Sequence, residues 1–473
     1  MLFQRLGLPT LLLLSSIPVA QALTLEEYLT EVRERNGNFR GLNISVKAKE
    51  SRKDEATLFF KPSFFLTGEY SDDQRPTLAP AFQGQQTMRH TLRAGLSQNF
   101  RTGTKAAISY NYYQTKINGT EGGLVRTPKF FDVAPMLEVT QSLWRNFLGK
   151  EFEANEEVQL AQVEAQRLND MFTYKQLNMQ AENAYWRLYF AQTTLRVQEE
   201  SLARARKLRD WNKGRFSSNL IDESDLIQSE ANLQNREIEY QDTLSDINAA
   251  QKEFNSLRQM EGDVNLEGTK GRSSAYILDA TLPSKMKMRE DVRAALANTK
   301  AAQANSQLGV ERNRPTLELY GQYSINGRDK FYSEATDQAF GATRPYSIVG
   351  VRFSAPLDFG AQSDYRKAYA QESKAAEMTY QRRLYEVDRN YEILSQRFED
   401  FKKRLKLAIK FVEVQDKKYK TEQRRYQQGR TTTFQVVQFE QDLANTELIR
   451  LRYERDLILV YNELKLFSGE EYE

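Results

Sequence analysis

Two stretches, RFSSNLIDESDLIQSEANLQN (residues 215–235) and RYQQGRTTTFQVVQFEQDLAN (residues 425–445), decide the fold of this 473-residue chain. Each interrupts a long, highly charged helical sequence, and the second lies 210 residues after the first. Asn219 therefore aligns with Gly429, and Asn and Gly are the residue types that most readily adopt the left-handed conformation that ends a helix. We predict a tight turn between two helices at each position.

The apolar spacing before each turn indicates that the chain is duplicated. One series steps by three and four residues, as in a coiled coil, and a second series repeats it 210 residues later. The first consists of Ala181, Ala184, Leu188, Ala191 and Leu195, and the second of Tyr391, Leu394, Phe398, Phe401 and Leu405. Each series belongs to a predicted helical hairpin, so the sequence predicts a mainly α-helical protein built from two repeats.

The repeats have the following predicted boundaries. The first repeat spans residues 23–260, a glycine-rich connecting segment spans 261–288, and the second repeat spans 289–473. We expect the connecting segment near the mid-height, or equator, of the helices. Within the repeats we predict ascending helices at 24–57 and 289–312, strand regions at 59–143 and 315–357, and helical hairpins at 150–258 and 361–467 with their turns at 215–224 and 425–434.

The strand regions alternate apolar and polar residues. PSFFLTGEY (62–70) matches PTLELYGQY (315–323), and further alternation marks 90–100, 104–115, 134–143 and 347–357. Alternation with many aromatic residues favours a membrane β-barrel, although a soluble sheet has the same period. A closed barrel needs about eight strands, and one chain offers four to six. We therefore expect several copies to contribute sectors to one barrel.

The N-terminus predicts export. Residues 1–22 contain Arg5, an apolar run and the small-residue pattern Ala20-Gln21-Ala22, as in a cleaved secretory signal peptide. The run is short for a bilayer span, which takes about 20 apolar residues. The chain has no cysteine, so we expect no lipid anchor on a cysteine after the signal.

The composition gives little support for catalysis. Without cysteine there is no thiolate nucleophile, and the single histidine, His90, lies in an alternating stretch. A Ser-His-Asp triad or a histidine metal cluster would need more around it. The formal net charge of +3 gives no argument for nucleic acid. We predict that the protein is not an enzyme and has no cofactor and no metal.

These features resemble the TolC-like family of outer membrane efflux and secretion channels, the outer membrane factors. The resemblance covers essentially the whole mature chain. It rests on TLEEYL after the signal, the two proline-led strands, LEVTQSLWRNFLG (137–149) with VRFSAPLDFG (351–360), and the two turns. It implies a homotrimer in outer membrane lipid, with a shared β-barrel on a long periplasmic α-barrel of coiled-coil helices. It also implies a passive conduit, connected to an inner membrane transporter through a periplasmic adaptor.

The resemblance also suggests which residues meet partners or cargo. The turns expose loop backbone, and we expect them to contact the adaptor. The residues concerned are Asn219, Leu220, Ile221, Gly429, Arg430, Thr431 and Thr432. Charges before the second turn could line a narrow entrance or form an ordinary solvated helix face. They include Asp416, Lys417, Lys420 and Glu422.

Three questions stay open at the level of sequence. An additional predicted hairpin at 90–115 exceeds the two strands per repeat typical of the family, so a trimer would have 12 or 18 strands. A periplasmic coiled-coil tether would use the same heptads, and a surface enzyme or sugar-binding barrel would need a cluster of polar groups that the sequence does not reveal. Neither the cargo nor the identity of pump and adaptor can be read from the residues.

Overall fold

The computed structural model describes residues 23–120, 125, 127–264, 266 and 277–469. The predicted signal peptide, 1–22, lies outside the described residues, as does most of the glycine-rich part of the connecting segment. Helices account for most of the described chain. They are α1 (Leu25–Arg35), α2 (Gly37–Arg52), α3 (Glu55–Leu58), α4 (Pro80–Gln83), α5 (Lys150–Ser217), α6 (Glu223–Arg258), α7 (Glu290–Arg312), α8 (Tyr332–Phe340), α9 (Phe359–Gln427) and α10 (Thr433–Lys465).

The stretch 24–57, predicted as a single helix, is divided into α1, α2 and α3. The first break is at Asn36, whose ψ of 121° is extended rather than helical. Its side-chain oxygen accepts a hydrogen bond from the backbone N–H of Asn38 at 2.9 Å, and its amide donates to the carbonyl of Leu257 at 2.9 Å. Such side-chain bonds compete with helical backbone bonds, which explains why the helix stops here.

The strands form one antiparallel sheet. They are β1 (Ser63–Asp73), β2 (Gln86–Asn99), β3 (Thr104–Asn118), β4 (Lys129–Ser142), β5 (Thr316–Ile325), β6 (Gly327–Asp329) and β7 (Pro345–Ser354). Their order is β1-β2-β3-β4-β5-β7, and β6 pairs with β4. The additional hairpin therefore joins the sheet as β2 and β3. Neighbours β4 and β5 come from different repeats, so the sheet joins the two halves of the duplication.

The chain forms two compact units that do not coincide with the two repeats. The helical unit comprises residues up to Ile44, Met171–Arg289 and the chain from Glu386 onward. The sheet unit comprises Ser45–Asp170 and Glu290–Tyr385. Each unit thus contains corresponding parts of both repeats. This follows because each unit contains contacts between the two repeats, such as the pairing of β4 with β5.

The core of the helical unit contains stacked aromatic rings, small residues and leucines. Tyr28 stacks on Phe254 with ring centroids 4.1 Å apart and lies 5.8 Å from the ring of Tyr185. Ala181 and Ala184, from the first predicted apolar series, are buried. Small residues permit the close helix approach that this packing requires. Leu188, Phe398 and Leu405 from the two series are buried as well.

The described part of the connecting segment is attached to the long helices of the helical unit. Gln192 of α5 donates to the carbonyl of Val264 at 2.7 Å and accepts from the N–H of Leu266 at 3.0 Å. The hydroxyl of Tyr391 in α9 donates to the carbonyl of Pro283 at 3.0 Å. The segment therefore contacts one helix from each repeat.

In the described part of the chain, no helix is both long enough and apolar enough to cross a bilayer.

Candidate functional site

The sheet exposes one apolar face. Phe64, Leu96, Ile108, Leu137 and Tyr323 are successive partners across β1, β2, β3, β4 and β5. Their exposed fractions are 69%, 49%, 60%, 47% and 48%. A row of five large apolar side chains that all reach solvent is not the pattern of a sheet that packs on a soluble core. It matches the lipid-facing surface of a membrane strand array.

The same face continues above and below this row. Alternate residues of every long strand belong to it, including Leu66, Leu92, Val139, Leu319, Val349, Val351 and Phe353. Among the described strand residues, the charged side chains on this face are Asp72, Lys116, Lys129 and Asp329. All four lie at the strand ends farthest from the strand-to-helix junctions, so the charges mark one border of the apolar band.

The opposite face of the sheet is polar and carries ion pairs. Arg93 pairs with Glu138 at 2.8 Å, and Arg352 pairs with Glu318 at 3.5 Å. Asn111 is buried and donates to the carbonyl of Ala134 at 2.9 Å. An apolar exposed face and a polar opposite face are the arrangement of a strand that separates lipid from a water-filled lumen.

Aromatic residues lie at both borders of the apolar band. At the strand-to-helix junctions Phe59, Phe100, Trp144 and Phe147 are exposed. At the far border Tyr112 packs against Phe131 and Tyr332, with centroids 6.0 Å and 5.5 Å away. Two aromatic belts around an apolar band are typical of proteins that sit in a bilayer, because amphipathic rings favour the headgroup region.

Helix α8 covers the far end of the apolar face and was not predicted from the sequence. Ala335 and Ala339 pack on Val133, and all three are fully buried. Gly327 lies so close to this helix that a Cβ there would stand 1.9 Å from the carbonyl oxygen of Ala335. The signal in the sequence is weak, since YSEATDQAF is a single short amphipathic stretch between strands.

The only histidine of the chain packs within the apolar face. The ring of His90 lies 4.9 Å from that of Tyr70, its partner across β1 and β2. In the described part of the chain, no group of three or more His, Asp or Glu side chains is placed to hold a metal ion. The structure thus assigns His90 to packing between neighbouring strands.

The two turns between the long helices have the same backbone. We call residues 218–222 tip 1 and residues 428–432 tip 2. Asn219 has a φ of 55° and Gly429 a φ of 69°, which confirms the predicted left-handed conformation at both. The N–H of Leu220 donates to the carbonyl of Arg215 at 2.9 Å, and that of Arg430 to the carbonyl of Arg425 at 2.9 Å. A second bond closes each turn, from the N–H of Asn219 to the carbonyl of Phe216 and from that of Gly429 to the carbonyl of Tyr426, both at 2.9 Å. The two bonds together are the Schellman motif.

The side chains make the two tips chemically different. Leu220 of tip 1 is 65% exposed. Tip 2 presents exposed Arg430 instead, followed by Thr432, which caps α10 by accepting from the N–H of Gln435 at 3.4 Å. Asp222, the corresponding cap of α6, makes no side-chain cap bond. Tip 1 therefore presents an exposed apolar side chain at the position where tip 2 presents a cation.

A buried polar network joins the two hairpins directly behind the tips. Tyr426 donates to the side-chain oxygen of Asn212 and lies 2.8 Å from the hydroxyl of Thr433. Asn212 in turn donates to the carbonyl of Asp225 at 3.3 Å. Asn212, Tyr426 and Thr433 are all buried. The network therefore connects α5, α6, α9 and α10, and it brings the two tips side by side.

A second buried network lies further from the tips and is charged. Glu440 of α10 accepts from Ser201 at 2.6 Å and pairs with Arg204 at 3.2 Å and Arg236 at 3.2 Å. Arg236 and Glu440 are only 2% and 3% exposed. Burial raises the pKa of the neighbouring Tyr419, although Arg204 opposes the effect. Sequence inspection missed both networks, because the bonds that join the two repeats link residues more than 200 positions apart.

The four charges considered for an entrance are not equivalent in the structure. Lys417 is exposed, and Lys420 is exposed but paired with Asp416 at 2.7 Å. Glu422 is buried and pairs with Arg425 at 3.1 Å. The carboxylate of Glu422 thus faces the interior of the packed hairpins, whereas Asp416, Lys417 and Lys420 reach solvent.

Comparison with known proteins identifies the fold. No protein-family model and no curated protein sequence matches the chain. Among solved structures, the Campylobacter jejuni CmeC outer membrane channel has a TM-score of 0.66 and 14% identity over 95% of this chain and 87% of that chain. The Vibrio cholerae outer membrane protein VceC has a TM-score of 0.65 and 14% identity, covering 94% and 97%. The Neisseria gonorrhoeae MtrE outer membrane channel, in its open state, has a TM-score of 0.65 and 14% identity, covering 94% and 89%.

The chain has the TolC-like fold of outer membrane channels. The matches include the sheet and both helical hairpins, since they cover more than nine-tenths of the chain. Within the TolC-like fold, the first repeat contributes β1 to β4 and the second β5 to β7. The first repeat thus has one hairpin, β2 and β3, more than the two strands per repeat expected from the family resemblance.

Proposed function

We propose that the protein is a passive outer membrane channel that leads from the periplasm to the exterior. In this proposal three copies form the conduit, and it serves a tripartite efflux or type I secretion system. The observation that carries the proposal is the apolar row from Phe64 to Tyr323, which is exposed in a sheet whose other face is polar. The TolC-like fold supports it.

The edges of the sheet support assembly from several copies. Among the described strands, β1 pairs only with β2, and β7 pairs only with β5. Each edge leaves backbone N–H and C=O groups unpaired, which is costly in lipid. Pairing β1 of one copy with β7 of the next satisfies both edges. Three copies, each with six long strands, would then close a barrel of about 18 strands, within the known range of outer membrane barrels.

The helices carry a surface suited to the same assembly. On α9, Leu407, Phe411 and Val414 are spaced by four and three residues and are 68%, 48% and 61% exposed. This spacing defines a second coiled-coil face beside the one already buried within the chain. We assign this face to contact with a neighbouring copy, so that the long helices of three copies form a hollow cylinder.

Assembly and conduction can be tested together. We expect detergent-purified protein to be trimeric and to form ion-conducting pores in planar bilayers. Leu407→Asp with Val414→Asp should shift the protein toward monomers, because each copy would bury an unpaired charge. Lys406→Asp, a charge reversal at an exposed site of the same helix away from this face, is the matched control. A wild-type protein that is monodisperse, monomeric and soluble without detergent would instead support a periplasmic coiled-coil tether.

The remaining part of the proposal concerns partners. We infer that tips 1 and 2 contact a periplasmic adaptor, which connects the channel to an inner membrane transporter that supplies the energy. Exposed Leu220 offers apolar contact, and exposed Arg430 with its neighbouring threonines offers hydrogen bonds and charge. The two kinds of tip would alternate around the rim of the trimer.

Adaptor docking is tested by Leu220→Asp combined with Arg430→Glu. We expect trimers to reach the outer membrane at wild-type levels, while adaptor copurification and cargo export fall together. Arg424→Glu, at an exposed position of α9 just before tip 2, is the matched control. If copurification and export both persist in the double variant, the tips only turn the chain and docking lies elsewhere.

A further inference from the structure

The polar face of the sheet contains a cavity with an excess of positive charge. Its volume is about 570 Å³, and it lies at the strand ends farthest from the strand-to-helix junctions. Its lining includes Arg89, Arg328 and Arg344, together with Tyr113 and Tyr346. One carboxylate, that of Asp132, also lines it. Three guanidinium groups against one carboxylate leave an excess of two positive charges.

Arg328 is the arginine that this carboxylate neutralises. Its Nη2 donates to Oδ2 of Asp132 at 3.1 Å, and its Nε donates to Oδ1 of the same group. Its guanidinium also lies 4.6 Å from the ring centroid of Phe130. Arg328 is thus held in a bidentate pair, the geometry that fixes a guanidinium most firmly.

The other two arginines are not neutralised by any described carboxylate. Arg89 is exposed, and its Nε donates to the hydroxyl of Thr115 at 3.3 Å, a neutral partner. Arg344 is exposed as well, and its backbone carbonyl accepts from the amide of Asn326 at 3.0 Å. The side chain of Arg89 and the backbone at Arg344 are thus each held by a neutral partner. The charges of both guanidinium groups stay available to a ligand.

Elsewhere on the polar face, arginines have acidic partners. Arg93 is paired with Glu138, and Arg352 with Glu318. Pairing neutralises those two arginines, whereas Arg89 and Arg344 have no acidic partner among the described residues. Local departures of this kind are expected where a surface has a binding role.

We propose that this cavity binds a carboxylate or phosphate group of a small dissolved solute, and that it favours anions in the outer part of the pore. Guanidinium groups suit this role because their planar set of donors matches the oxygens of both anions. The location in a pore rests on the proposed function, in which the polar face lines the lumen. Three copies would place three such cavities around one opening, where their fields add.

The test uses the full-length trimer with citrate as the probe. Titration calorimetry on detergent-purified protein measures binding, and the reversal potential in a KCl gradient across planar bilayers measures ion preference. We expect Arg89→Gln combined with Arg344→Gln to weaken citrate binding about tenfold or more, since two charge-assisted contacts are lost. The permeability ratio should shift toward K⁺ in the same variant. Lys105→Gln, on the same face near the opposite strand ends, is the matched control.

The outcomes separate the cavity from the channel itself. If wild-type trimers conduct but do not bind citrate, the anion site is refuted and the proposed function stands. If they bind citrate but never conduct, the site stands and the proposed function fails. An equal loss of citrate binding in the Lys105→Gln control would show general electrostatic attraction and overturn the assignment to this cavity.

Discussion

The hydroxyl group of Tyr426 donates a hydrogen bond to the side-chain oxygen of Asn212, and the two residues belong to different repeats. The corresponding positions in the other repeat cannot form this bond, because Tyr426 aligns with Phe216 and Asn212 aligns with Glu422. The bond therefore exists once per chain, although the duplication offers two places for it. Replacing Tyr426 therefore removes this bond between the two hairpins without touching a second copy of it.

Tyr426→Phe should destabilise the hairpin ends. The variant leaves Asn212 and Thr433 without the phenolic partner in a buried site, which costs about 1–3 kcal/mol. We expect faster amide hydrogen exchange in the last turns of α5 and α9. Tyr385→Phe, at a position 69% exposed, is the control. Unchanged exchange at both hairpin ends would show that the network is not needed to hold them together.

The charged network should respond non-additively to mutation. Glu440→Leu alone leaves Arg204 and Arg236 without their shared carboxylate, and breaking a buried pair in this way costs about 3–5 kcal/mol. Arg236→Met in addition should recover much of that loss, because it removes one of the two guanidinium groups that have lost this carboxylate. Denaturant unfolding of the two single variants and the double variant measures the coupling. Additive losses would contradict a direct interaction.

Gly429 should tolerate asparagine better than valine. Its φ of 69° disfavours residues with a branched Cβ, while a Cβ added there would meet no atom within 4 Å. The cost of Gly429→Val is therefore backbone strain, about 1–2 kcal/mol. Asn219 shows that asparagine occupies the same conformation at tip 1. Thermal unfolding should rank wild type close to Gly429→Asn and above Gly429→Val, and equal values for the two variants would argue against strain.

Of the two lysines considered for an entrance, Lys417 should influence ion preference more. Lys420 is paired with Asp416 at 2.7 Å, whereas Lys417 is exposed and no described carboxylate pairs with it. If these residues line the entrance, Lys417→Glu should shift the pore toward cations more than Lys420→Glu does. Reversal potentials in planar bilayers provide the measurement. Identical selectivity in wild type and both variants would assign the lysines to an ordinary solvated helix face.

Glu447 should make stability depend on pH. Burial raises its pKa above the ordinary value of 4.5, while Arg204 opposes the effect. A raised folded-state pKa means that its stabilising contribution is complete below pH 4.5 and is lost as pH rises through the folded-state pKa. Glu447→Gln should therefore raise Tm at pH 7.5 by about 1 °C. The difference should disappear near pH 4, and a difference independent of pH would contradict this origin.

Local conformation was predictable from the sequence where a residue type determines it. Asn219 and Gly429 indicated left-handed turns, and the alternation at 104–115 indicated β3, because both signals depend on nearest neighbours. The break at Asn36 was missed because it depends on a hydrogen bond to Leu257, more than 200 residues away. Helix α8 was missed because its apolar residues find their partner, Val133, only in the folded sheet.

The same distinction applies to the candidate site. The tips were found because each departs from a helical pattern that surrounds it. The burial of Glu422 could not be read from the sequence, because nearly all of its neighbours along the helix are polar as well and only packing decides which of them is buried. The polar networks around Asn212 and Glu440 were likewise invisible, since they require residues of three or four helices to converge.

The register of the sheet has a consequence for how this fold can vary. Phe64, Leu96, Ile108 and Leu137 lie in one row, so the β2 and β3 hairpin stands between β1 and β4 without shifting either. Neighbouring strands in this sheet are antiparallel. Inserting two strands between β1 and β4 keeps this antiparallel order, whereas inserting one strand would break it. Gain or loss of this hairpin would therefore leave Phe64 facing Leu137 with the same apolar side outward. In the proposed trimer, gain or loss of this hairpin would change the circumference of the barrel and leave the helices and tips as they are.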